Sequence, residues 1–385
     1  MTPAARTQAA IELLDTIIAA ARDAGAAADT LIARYFATRR YAGSKDRRAV
    51  RELVYAAIRA CGERPESGRA AVLALAGPEL LATFDGSPHG PTPVAEGEPV
   101  SRASVAPGWL IKRMRASDLD LAQQQALIGR APLDLRINRL RADAVSIEGA
   151  ESIPGLLDGL RLPSGTNVEA LPEWQSGAIE VQDAGSQLVT GVVGTAPGER
   201  VVDLCAGAGG KTLALAAAMG DEGAILACDT DRGRLSRLPP RAARAGVSIV
   251  ATRLLDPGTE TDALAEFAGQ ADHVLIDAPC SGTGTWRRNP EARWRLTHDR
   301  LAALVALQAR LLDIGAALVK PGGALTYVVC SLLDEEGADQ VAAFLARSGW
   351  SPVAPAIGAP RGPGARLTPL SDATDGFFVA KLRAP

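Results

Sequence analysis

The chain has 385 residues, 47% of them hydrophobic and 22% charged, with a net charge of −3. That length calls for two or three domains, and that balance supports a full core and excludes wholesale disorder. A pI near 5.8 excludes a uniformly basic nucleic-acid coat and leaves local arginine patches as the places to look.

Cys61, Cys205, Cys228, Cys280 and Cys330 form no CxxC pair, and His89, His273 and His298 lie far apart. Reduced thiols and no metal site are expected. No basic segment followed by a long apolar run opens the chain, and the apolar stretch 301–319 is broken by Gln308, Arg310 and Asp313. We therefore expect a cytoplasmic protein with no membrane partner.

Residues 7–60 place apolar residues at helical spacing, with Gly43 as a stop and Ser44 as a possible N-cap. Residues 62–106 are rich in Gly, Pro, Ala and Glu and read as a linker. From 107 to 190 the stretches PLDLRINRL, GLRLPSG, VEAL and GAIEVQD read as short strands of a small α+β module.

Beyond about 190 strands and helices alternate. RVVDLCAG, AILACD, SIVATRLLD, HVLIDAPC, GALTYVVCS and FFVAKLR read as strands. KTLALAAAM, a helix perturbed by Pro239-Pro240, residues 297–320 and DEEGADQVAAFLARSG read as helices. This is the pattern of an α/β fold, a Rossmann-like doubly wound sheet.

The first of these strands runs into DLCAGAGGKT, where small residues from Cys205 through Ala206, Gly207, Ala208, Gly209 and Gly210 to Lys211 allow a sharp turn beside a ligand. The spacing is not that of a phosphate loop. Asp203, Asp229 and Asp256 stand at three successive strand ends. One acid there is commonly a cap, but three in a row predict a ligand crevice, with Asp229 placed for ribose hydroxyls. A nucleoside without a phosphate cradle points to S-adenosylmethionine. Asp277 and Cys280 close the next strand, and Cys330 the one after. Free cysteines are often inert small hydrophobes, yet two at adjacent sheet-edge positions beside a methyl donor suggest chemistry.

DLCAGAGGKT, DAPCSGTG, RRNPEARW, LTYVVCSLLDEE and DGFFVAKL resemble the successive motifs of the NOL1/NOP2/Sun family of RNA cytosine-5 methyltransferases, and VQDAGSQLV resembles their lead-in. RYFATRRYAGSKDRRAVRELVY resembles the NusB-like helical extension of bacterial ribosomal-RNA members.

The resemblance implies a Rossmann-like S-adenosylmethionine-dependent methyltransferase domain over 191–385. An α+β RNA-binding module over 107–190 and a helical N-terminal region over 1–61 would precede it. It implies a monomer that methylates carbon 5 of cytosine in small-subunit (16S) ribosomal RNA. Cys330 would attack carbon 6, Asp277 would bind the ring and line the cofactor site, and Cys280 would act in release. Arg287, Arg288, Arg293, Arg295 and Arg300 would hold phosphates. Transfer RNA is the alternative substrate. A DNA enzyme attacking with Cys280, or a non-catalytic assembly factor that keeps the fold, are the other readings.

Overall fold

A computed structural model describes residues 1–23, 25–163 and 165–385. Their contacts divide the chain into two units, Met1–Arg130 with Thr285–His298, and Ala131–Gly284 with Asp299–Pro385.

The first unit is helical. Helix α1 (Pro3–Arg22) starts on a proline whose missing N–H costs nothing there, and Thr2 Oγ1 caps it by accepting from the Ala5 amide at 3.1 Å. It buries Leu13, Leu14 and Ile17 against α2 (Ala28–Ala37) and α3 (Ser44–Ala60). Ser44 is not the N-cap. Gly43 is, and its carbonyl opens the helix ladder by accepting from the Arg47 amide at 3.0 Å. The stretch 62–106 carries helices α4 (Gly68–Leu73) and α5 (Pro78–Leu81), and Ala71, Val72, Leu73 and Phe84 join the same core. Helices α6 (Gly108–Ala116) and α7 (Leu121–Ala126) follow, the latter held by an Asp120–Gln123 capping box.

The arginines after residue 286 do not form the free row expected of them. Arg293 is wholly buried and donates from Nη2 to the carbonyls of Ile58, Arg59 and Cys61 at 2.6, 3.0 and 3.1 Å. Those are carbonyls a helix end leaves without partners, so Arg293 acts as the C-terminal cap of α3. Trp294 Nε1 donates to the Cys61 carbonyl at 2.7 Å, and Arg295 reaches the carbonyls of Gly25 and Ala26, each at 2.7 Å. Phosphate binding by Arg293 and Arg295 is therefore corrected: Arg293 is buried out of reach of a phosphate, and both Nη atoms of Arg295 donate to the protein's own backbone.

The second unit opens with strand β1 (Leu133–Ile137), followed by β2 (Glu151–Ser152), β3 (Gly159–Leu162), α8 (Pro172–Gln175) and β4 (Ile179–Val181). They form an antiparallel sheet in the order β2-β3-β1-β4 over Leu135, Leu162, Val168 and Ile179. VEAL is not a strand, since Val168–Ala170 makes a 3-10 turn.

After α9 (Ala184–Gly191) come β5 (Arg200–Asp203), α10 (Gly210–Ala218), β6 (Ala224–Asp229), α11 (Arg232–Leu235), α12 (Leu238–Ala245), β7 (Val250–Leu254) and α13 (Glu260–Ala263). Pro239 and Pro240 split the expected single helix into α11 and α12, because they fit only a first turn. The chain continues through β8 (Ala271–Asp277), α14 (His298–Leu318), β9 (Val319–Val329) and α15 (Ala338–Arg347). It ends in β10 (Ser351–Val353), β11 (Ala359–Arg361), β12 (Gly364–Leu367), α16 (Pro369–Asp372) and β13 (Phe377–Arg383).

The large sheet runs β11-β12-β13-β9-β8-β5-β6-β7, with β10 paired to β13. Strands β5 to β9 are parallel, and β13 returns antiparallel. The chain winds outward through β6 and β7 on one side of β5 and through β8 and β9 on the other. That reversal opens a crevice at the carboxyl ends of β5 and β8. Asp203 pairs with Leu275, and Asp277 with Val328, so Asp203, Asp277 and Cys330 share that edge.

Helix α14 has the length and apolar composition of a membrane span. Within the second unit, however, it buries Leu311, Leu312, Ile314 and Leu318 in the core beneath the sheet.

Candidate active site

The turn after β5 positions the first group of residues. Gly209 sits in the left-handed region at φ 83°, and a Cβ there would lie 2.1 Å from Leu238 Cδ1. Only glycine fits this place. As the N-cap of α10 it brings no side chain to the cap, so the amides of Gly210, Lys211 and Thr212 are left for a ligand. A Cβ on Gly210 would meet no atom within 4 Å, so the loop backbone is bare on that side.

Asp229 fastens the loop to the next strand. Its Oδ2 accepts from the Gly207 amide and its Oδ1 from the Asp231 amide, each at 2.7 Å. The backbone completes the tie, with the Ala206 amide donating to the Cys228 carbonyl at 2.8 Å and Arg241 donating to the Ala208 carbonyl at 2.6 Å. Cys205 is half-buried, and burial pushes its thiol well above the usual range. Asp256 is exposed after β7, next to Leu255, whose amide donates to the Asp229 carbonyl at 2.9 Å.

Asp203 lies at the floor of the crevice. Thr212 Oγ1 donates to its Oδ2 at 2.7 Å, while its buried Oδ1 has no protein partner. Burial raises its carboxyl to about 7, with Thr212 working the other way and Asp277 adding to the rise. Against a free value of 3.8, the unfolded chain gives up this proton at lower pH than the folded one. Asp203 therefore costs stability as pH rises through that window, by about 1.4 kcal/mol per unit. Asp203→Asn should flatten this decline, and thermal melts from about pH 5 to pH 7.5 will show it as a smaller fall in Tm than in the parent chain.

Lys211 does not simply line the loop, since its Nζ donates to Asp277 Oδ2 at 2.6 Å. Burial alone would lower the lysine's pKa. The charge and hydrogen bond of Asp277 outweigh it, with Cys330 and Asp203 also contributing, and the net direction is up. One ammonium thus serves a carboxylate and lies in the field of a sulfur.

The two cysteines meet. Cys280 Sγ and Cys330 Sγ are 3.3 Å apart, from loops that follow β8 and β9. The hydrogen bond with Cys330, then burial, pushes the Cys280 thiol well above its usual range, and either sulfur can be the donor of the contact. The two loops are joined further on by the Gly284 amide donating to the Cys330 carbonyl at 3.0 Å. Gly284 in turn packs so close to the last strand's approach that a Cβ there would lie 2.1 Å from the Gly376 carbonyl oxygen.

The geometry brings Asp203, Lys211, Asp277, Cys280 and Cys330 into one cluster and ties the 205–210 loop to Asp229. Two contributors were not visible as site residues in the sequence, Thr212 under Asp203 and Glu336 behind the cysteine loops. The only sequence signal for Glu336 was its place at the end of LTYVVCSLLDEE.

The residues fit S-adenosylmethionine. The open helix N-terminus suits a carboxylate, the acid ending β6 lies at the ribose position, and Asp203 Oδ1 is a buried acceptor or donor awaiting a partner.

The description of the 16S rRNA methyltransferase RsmB/F family matches residues 192–383. Ribosomal RNA small subunit methyltransferase B of Salmonella typhi is 38% identical over 291 residues, covering 72% of this chain and 66% of that protein. The match thus spans just under two thirds of that relative's length. The crystal structure of a methyltransferase homolog protein from Pyrococcus horikoshii is similar at TM-score 0.59 and 28% identity, over 68% of this chain and 89% of that one. The crystal structure of PH0851 shares the fold across 99% of both chains, at TM-score 0.78 and 24% identity.

Proposed function

The chain belongs to the 16S rRNA methyltransferase RsmB/F family of S-adenosylmethionine-dependent methyltransferases, and from that premise we propose that it methylates carbon 5 of cytosine in small-subunit ribosomal RNA. The observation that carries this reading is the pair of cysteine sulfurs 3.3 Å apart beside the Lys211–Asp277 ion pair.

Carbon 5 of cytosine is a poor nucleophile until something adds to carbon 6. Cys330 makes that addition as a thiolate, in the field of the Lys211 ammonium and accepting the Cys280 S–H. Asp277 accepts from the exocyclic amine and orients the ring, and the Lys211 ammonium beside it is the donor that stabilises the charge developing on N3. S-adenosylmethionine, when bound, supplies an electrophilic methyl group.

The adduct must then lose the C5 proton and expel Cys330. Cys280 takes its part here. Once the Cys330 sulfur is bonded to carbon 6 it no longer accepts from Cys280, and the largest cause of that thiol's resistance to ionisation is gone. Cys280 then gives its proton to solvent, and the resulting thiolate takes the C5 proton. The target base must be unstacked to reach these groups, so a loop or locally open strand is the expected site.

The test is transfer of labelled methyl to separated RNA pools, followed by bisulfite sequencing. Label as 5-methylcytosine in 16S RNA is expected. Label confined to transfer RNA would overturn the ribosomal assignment, and label at another atom would overturn the chemistry.

A further inference from the structure

Strands β8 and β9 are hydrogen-bonded to each other up to the pair Asp277–Val328, and both cysteines lie beyond it. The sheet ladder therefore does not fix the distance between the sulfurs. What lies behind them is the fully buried carboxylate of Glu336, in the 3-10 turn Asp334–Glu336.

Four donors converge on it. The Ser281 amide reaches Oε1 at 2.8 Å and Gln308 Nε2 reaches the same oxygen at 3.0 Å. The Ser281 hydroxyl donates to Oε2, and the Ser331 hydroxyl reaches that oxygen at 2.5 Å. Ser281 and Ser331 are the residues immediately after Cys280 and Cys330. Ser331 Oγ also accepts from the Leu333 amide at 3.2 Å, and Thr283 Oγ1 lies 3.1 Å from it. The turn itself is anchored by Tyr327, whose hydroxyl donates to the Glu336 carbonyl at 2.7 Å.

We propose that Glu336 is a positioning residue that sets the spacing of the two cysteine sulfurs, by holding the residue after each cysteine on one carboxylate. This rests on the reading of Cys330 and Cys280 as the reacting thiols. A carboxylate offers acceptor sites for all four donors. A glutamine amide accepts at one end only, so either the two serine hydroxyls or the Ser281 amide and Gln308 lose their common acceptor. An aspartate is one methylene short of spanning both loops.

Glu336→Gln should lower kcat on the order of 10²-fold, the effect of displacing reacting groups by about 1 Å, with KM for RNA and for cofactor within about twofold. Adding Ser281→Ala to Glu336→Gln should cost little more, whereas Ser281→Ala alone should lower kcat in the same direction, the coupling expected of one shared contact. Ser281→Ala alone also serves should Glu336→Gln not fold. A kcat within about threefold of the parent, a loss confined to KM, or additive single losses would overturn the proposal.

A second readout needs no turnover. Modification of Cys280 by iodoacetamide, followed by mass spectrometry, should speed up about tenfold in Glu336→Gln as the contact with Cys330 loosens and more thiolate forms. An unchanged rate counts against Glu336. Should the parent chain neither transfer methyl nor trap RNA, the proposed reaction fails, and the alkylation rates still decide the role of Glu336.

Discussion

Cys330→Ala should abolish methyl transfer, with a loss of about 10⁴-fold, and leave no protein–RNA species on a denaturing gel. The reason is specific to the nucleophile. Without an addition to carbon 6 there is no electron density at carbon 5, and neither Lys211 nor Asp277 supplies it. Cys280 does not substitute, because burial and the nearby Glu336 carboxylate still hold it as a thiol when Cys330 is gone. Cys280→Ala should behave differently: attack and transfer proceed, release fails, and a covalent protein–RNA band accumulates. The opposite pattern, with the band lost in Cys280→Ala and kept in Cys330→Ala, would move the attack to Cys280 and return the DNA-type mechanism.

Arg293→Ala should destabilise the helical unit by about 3–4 kcal/mol, the cost of a buried large-to-small change plus the Ile58 and Arg59 carbonyls left without this donor. Burial already lowers this guanidinium's pKa to about 10, yet it remains charged at neutral pH and every bond to a carbonyl is charge-assisted. Arg293→Lys should recover only part of the loss, since the ammonium sits on a shorter side chain than the Nη2 that reaches these carbonyls and is more costly to strip of water. Chemical denaturation followed by tryptophan fluorescence will read this directly, because Trp294 is buried in that unit's core. A loss below about 1 kcal/mol would show that the cap is dispensable.

The parallel sheet and the residues at its carboxyl edge were legible because each strand is a short apolar run ending in an acid or a cysteine. The helix N-terminus after DLCAGAGGKT was legible for the same reason, a period change at a glycine turn. The edge strands β10, β11 and β12 were not, being three or four residues long and interrupted by proline and glycine. Glu336 was misleading in a more instructive way. Asp334, Glu335 and Glu336 look like the solvated acidic first turn of α15, but the backbone at Gly337 breaks before that helix begins and turns Glu336 inward. Arg293 deceived likewise: an arginine-rich run reads as a phosphate surface, and no local pattern says that its central member ends up under α3. Both are charged residues whose partners lie far along the chain, 55 residues for Glu336 and Ser281, and 235 for Arg293 and Ile58.

Residues 285–298 belong with the helical unit although they interrupt the other one in sequence. The two parts are thus interleaved, and neither is a removable cassette. A chain shortened to begin at residue 131 would keep Trp294 and Arg293 while losing the helices that bury them. Such a chain would be expected to aggregate or to fray just downstream of Cys280. Its inactivity would say nothing about RNA binding by the helices, so any survey of what the N-terminal region contributes should use surface substitutions in the intact chain.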